Sequence, residues 1–163
     1  MQNQPLKEDL ELHEAFEIIM QLDDIPEYIK EISELIFIEG LNQKFLKEIL
    51  AKYHINRVED IKHDTLNLVI EYINIILNDH EITQKEQLNT SLLKRFFKIK
   101  EGDFYTLRYF EIKKIIHKQI EIIHRDNQIS YEKALHKVEI QDLFDLSYDQ
   151  FMEIKKLLCQ KKL

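Results

Sequence analysis

Apolar residues recur along the chain at spacings near three and four, and together with helix start and stop signals they predict eight helices. The first, about 8–22, puts Leu12, Phe16 and Ile19 on one side and Glu8, Glu11, Glu14 and Glu17 largely elsewhere. Asp24 is a candidate cap for the second, with Pro26 in its first turn and Gly40 as its stop. Asn42 caps a third helix carrying Phe45, Leu46, Ile49, Leu50 and Tyr53, and an irregular stretch follows from His54 to His63. Asp64 opens a fourth, whose apolar residues Leu68, Val69, Tyr72, Ile73, Ile75 and Ile76 wrap more than one face and mark it as central. Thr83-Gln84-Lys85-Glu86 has the form of a capping box and starts a fifth helix ending near Lys98. Gly102 precedes a long sixth, about 103–125, and Ser130 and Ser147 are candidate caps for the last two.

The expected fold is therefore all-α, a compact bundle of about eight helices with short connections between antiparallel neighbours. Two Gly and two Pro in 163 residues are too few for a sandwich or barrel, which needs frequent turns. The length suits one domain that needs no disulfide or structural metal. The lone Cys159 has no disulfide partner, and the amino terminus lacks the basic and apolar regions of a signal peptide. No stretch approaches the roughly 20 apolar residues of a membrane span. A cytoplasmic location is the expectation.

Charge divides the chain. Residues 1–64 hold 7 Lys/Arg against 15 Asp/Glu, whereas residues 65–163 are nearly balanced at 16 against 15. An acidic first third disfavours nucleic acid as the main partner, because phosphate binding draws on basic groups. The segment 94–118 runs the other way, with eight basic residues against three acids, a pattern usual for a solvated helix face.

Sliding the chain against itself by 47 positions aligns 68–110 with 115–157 without a gap. Ile73, Ile75 and Ile76 fall on Ile120, Ile122 and Ile123, Asp79 on Asp126, Ile82 on Ile129, and Thr83 on Ser130. The expected organisation is one helical domain in which an acidic extension, 1–64, precedes a repeat region, 65–163. Each unit turns at an Asp, then an Ile expected to plug the joint as a hydrophobic staple beside the cap.

A carboxylate at the negative end of a helix is unfavourable, so Asp79 and Asp126 require another role. They can accept turn backbone N–H groups, as in Asx-turns. Alternatively, Asp79 with Glu81 and Glu86, and Asp126 with Asn127 and Glu132, offer oxygen ligands to calcium or magnesium, although the spacing is not that of an EF-hand loop.

The pattern Asn78-Asp79-His80-Glu81-Ile82-Thr83-Gln84-Lys85-Glu86, and again Arg125-Asp126-Asn127-Gln128-Ile129-Ser130-Tyr131-Glu132, resembles the tellurite-resistance TerB-like family over roughly 65–160. That family usually carries Asp-Gly where this chain has Asp79-His80 and Asp126-Asn127. The resemblance implies an all-helical fold, divalent-cation binding through turn carboxylates, and a non-enzymatic role in bacterial stress-response or defence complexes.

His117, Glu121 and His124 are three candidate ligands on one helix. At about 100° per residue they fall away from the apolar arc and point to solvent or a partner. A surface zinc site fits that placement; a di-iron site, which needs inward ligands and a second Glu-x-x-His, does not. Lysines near Cys159 are the one hint of an activated thiol, and nucleophile elbows, phosphate loops and His-Glu-x-x-His are missing from the sequence.

Three functions follow. The first is a TerB-like binding module for another protein, with a cation at one or both Asp turns. The second is an immunity or antitoxin-type inhibitor whose acidic first third, with Glu8, Glu11, Glu14 and Glu17 exposed, masks a basic partner. The third is a helical metalloprotein using His117, Glu121 and His124.

Overall fold

The computed structural model describes residues 10–160, with side chains to Lys156. Among these residues there are nine α-helices and no strand. They are α1 Leu12–Ile19, α2 Glu27–Glu39, α3 Gln43–Lys52, α4 Lys62–Ile76, α5 Gln84–Phe96, α6 Asp103–Leu107, α7 Tyr109–Ile123, α8 Tyr131–Leu143 and α9 Tyr148–Gln160.

Local chemistry accounts for most of the boundaries. Asn42 accepts N–H bonds from Lys44 and Phe45 at 3.1 and 3.3 Å to start α3. Thr83 and Glu86 close a reciprocal capping box at α5, at 3.2 and 2.9 Å, and Ser147 and Gln150 do the same ahead of α9. Three expectations need correction. Asp24 does not cap α2: it sits at φ +62° and Pro26 occupies the N-cap. The irregular stretch contains a 3₁₀ turn, Val58–Ile61, which feeds α4 at Lys62, ahead of Asp64. The expected sixth helix is two, broken at Arg108 (φ −136°, ψ 33°), whose guanidinium binds the Asn67 side chain at 2.6 Å and the His63 carbonyl at 2.9 Å.

α4 sits at the centre. Thr65, Leu66, Leu68, Val69, Ile70, Tyr72, Ile73 and Ile76 are all buried, so most of the helix circumference is covered and only the edge carrying His63, Asn67 and Asn74 is exposed. The helices α1, α2 and α5 pack against it, while α7 pairs with α9 and α8 touches α5 and α7. One cluster of buried apolar residues runs from Ala15 to Ile154, so the acidic first three helices share the core. No helix of the described residues is long and apolar enough to cross a membrane.

The helix boundaries of α4 and α5 recur 47 positions later in α7 and α8. The frames then part, because α6 has five residues and α9 thirteen. Burial differs too, since α8 buries only Ile140 and Leu143.

Ile73 is fully buried in α4. Ile73→Ala is expected to cost about 2–5 kcal/mol in urea unfolding, whereas the same truncation at exposed Ile38 is expected to change stability by about 0.5 kcal/mol or less.

Candidate functional site

The two Asp turns are built alike. Asp79 Oδ1 accepts the Glu81 N–H at 3.1 Å, and Asp126 Oδ1 accepts the Gln128 N–H at 3.0 Å. Each is the Asx-turn that the local chemistry offers. The next residue is left-handed in both, His80 at φ +62° and Asn127 at φ +54°. His and Asn thus hold the conformation for which the TerB-like pattern has Gly; Asn, Asp and His are the non-glycine residues enriched there. Asp126 also receives the Lys133 ammonium, which, with the Gln128 N–H, holds its carboxyl below the usual range.

The carboxylates around these turns are already engaged or turned away. Glu86 is buried, bonded to the Thr83 N–H. Glu81 and Glu132 are exposed. Among the described residues no group of three or more His, Cys, Asp or Glu is gathered to hold a metal ion. Asp79, Glu81 and Glu86 are therefore not gathered into a three-carboxylate cation site.

One member of the histidine cluster is less exposed than expected. His117 faces α9: its Nε2 lies 2.8 Å from the Ile154 carbonyl, which only accepts, so Nε2 carries the proton. Glu121 and His124, on the same side of the helix, are exposed, and the three are not gathered to hold a metal ion. The helical wheel located the core arc correctly but could not show that α9 covers the flank beside it.

On α1, Glu11 is ion-paired with Lys85 of α5, and Glu14 caps the helix through the Glu11 N–H at 2.8 Å. Glu17 is exposed; Glu8 lies outside the described residues, as does the Cys159 side chain.

What the fold does bring together is a cleft of about 450 Å³ between the first Asp turn and helices α7 and α8. His80, Glu81 and Ile82 contribute from the first turn, Ile122 and Ile123 from α7, and Glu132, Lys133, Leu135, His136 and Glu139 from α8. His136 was not distinguished by any motif. Its Nδ1 lies 3.5 Å from Glu139 Oε2 and its Nε2 3.4 Å from Gln119 Oε1. Burial lowers its pKa, and Glu139 only partly opposes this. Beside the cleft, α8 presents Tyr131, Leu135 and Val138, spaced i,i+4,i+7, at 43–78% exposure. Ile129, expected to plug its joint, is fully exposed at the head of this stripe, whereas Ile82 packs on the core.

No family model matches the chain, and neither the curated proteins nor the solved structures provide a match. The TerB-like resemblance rests on the two turn motifs.

Two outcomes follow. Asn127→Val forces a β-branched residue into the left-handed region and should lower stability by about 1–2 kcal/mol, while Asn127→Gly should not, as chemical denaturation will show. A histidine whose pKa falls on folding leaves the unfolded chain to bind the proton first. Stability should therefore decline as pH drops below 6.5, and His136→Gln should flatten that decline.

Proposed function

We propose that this chain is a non-enzymatic helical interaction module that docks a partner protein across α8 and the cleft it forms with α7 and the first Asp turn. The observation that carries this reading is the apolar stripe Tyr131, Leu135 and Val138, contiguous with exposed Ile129 and bordered by a cleft with Ile82 and Ile122 on its wall. Single exposed apolar residues are ordinary on a protein surface; four within ten residues of one helix and its lead-in turn form a patch of the kind that marks interfaces. The TerB-like turn motifs frame the same patch and support a role in a bacterial stress-response or defence complex.

The reading needs no cation at the turns, because each Asp already serves its own turn. It needs no catalytic group, and the polar residues of the cleft set orientation: the His136–Glu139 pair and Lys133 are placed to meet polar atoms at the edge of an apolar contact.

The test is a paired measurement. A partner captured from cells of the source organism, once purified, should bind the parent protein in calorimetry. Leu135→Glu/Val138→Asp should weaken that binding at least about tenfold, as loss of a central apolar anchor does, with Glu17→Lys changing it less than about twofold. Equal binding by the α8 variant, with its helical content intact, would refute docking at this surface.

A further inference from the structure

A second surface of opposite chemistry lies on the hairpin of α2 and α3. Glu27, Glu31, Glu34 and Ile38 follow one another at i, i+4, i+7 and i+11, so they line a single face of α2. Across from them stand Phe45 and Ile49 of α3, and Leu35 and Glu39 complete an open groove of about 480 Å³. Ile38 is 63% exposed and Phe45 and Ile49 are partly exposed, so the groove has an apolar floor that no helix of the described residues covers. Every charged side chain lining it is a carboxylate.

The protein itself shows how a cation seats here. Lys52, at the end of α3, places its ammonium 2.5 Å from Glu31, and the Tyr53 hydroxyl donates to the same carboxylate at 2.6 Å. Glu34 and Glu39, farther along the groove, have no such partner among the described residues. Glu39 is the last residue of α2, where the helix dipole is also negative, so the potential that a cation meets there exceeds that of the carboxylate alone. From Glu27 to Ile38 the face spans roughly 16 Å at 1.5 Å per residue, the length of three turns of a guest helix.

We propose that this groove binds a basic amphipathic helix of a partner protein, whose apolar face packs on Ile38, Phe45 and Ile49 while its lysines or arginines meet Glu34 and Glu39. The mode is helix-in-groove recognition, with apolar anchors giving affinity and charge selecting the partner. It goes beyond the α8 surface and is independent of it.

The probe is a fluorescein-labelled 14-residue helical peptide of Leu and Lys in amphipathic register, with a Leu/Glu peptide of the same pattern as its counterpart. Anisotropy is read at about 0.15 M salt, where screening over about 8 Å suppresses the general field of an acidic protein. The basic peptide should bind saturably at one site and the acidic one should not. Glu34→Lys/Glu39→Lys should weaken binding at least about tenfold and Ile38→Ser about fivefold. Glu17→Lys/Glu121→Lys makes the same change in net charge on exposed positions of α1 and α7, and should alter affinity less than about twofold. Leu135→Glu/Val138→Asp should leave it unchanged, which separates this site from the α8 reading. The proposal is overturned by absence of saturable binding, by equal loss in the two charge-reversal pairs, or by an Ile38→Ser protein that binds like the parent.

Discussion

A helix buried over most of its circumference dictates this architecture. Because α4 buries residues over most of its circumference, from Leu66 and Val69 to Tyr72 and Ile73, and exposes only the edge of His63, Asn67 and Asn74, several helices must pack around it, and α1, α2 and α5 do so. The acidic helices at the start of the chain are thus structurally necessary cover for α4, whatever else their outer faces do. An apolar side chain left in water forfeits about 25 cal/mol per Å² of apolar area, so removing that cover would expose Leu66, Val69 and Ile73 at a substantial cost in stability.

α7 occupies the same frame 47 residues later without the same cover. Where α4 buries Tyr72, α7 buries the polar Gln119, which turns its side chain toward His136 of α8. A polar pair at that contact cannot draw α8 in as an apolar one would. α8 accordingly buries only Ile140 and Leu143 and leaves Tyr131, Leu135 and Val138 outside. The exposed stripe and the cleft both follow from this looser packing, and the half-buried His136 at the contact makes the region sensitive to protonation.

Much of this was legible in the sequence, and the physical reason is locality. Caps at Asn42, Thr83 and Ser130 depend on bonds within three residues, and the Asx-turns at Asp79 and Asp126 on bonds within two. The centrality of α4 was legible because its apolar residues wrap more than one face and leave only a narrow polar edge. What escaped depends on distant neighbours. The break at Arg108 comes with bonds to His63 and Asn67, more than forty residues earlier, and His117 turned out to face a helix nearly forty residues later. Ile129 and Ile82 sit at matched places in the alignment, yet only Ile82 has a core to pack on. The i,i+4,i+7,i+11 row on α2 was present in the sequence, but its meaning depended on α3 lying alongside it.

The acidity of the first third also changes meaning once each carboxylate is placed. Many of those charges are used by the fold itself. Glu11 meets Lys85, Asp60 meets Arg57, Glu59 meets Lys98, and Asp64 accepts from the Tyr28 hydroxyl. Glu14 holds the first turn of α1 and Glu31 holds Lys52. Net charge alone would have suggested a diffuse acidic face centred on α1. With the internal pairs removed from the account, the remaining charge that also borders an uncovered apolar floor is concentrated at Glu34 and Glu39, on the α2–α3 hairpin. Charge beside exposed apolar surface is where electrostatic selection and hydrophobic affinity act on the same partner, and neither a charge count nor a helical wheel of α1 could have located it.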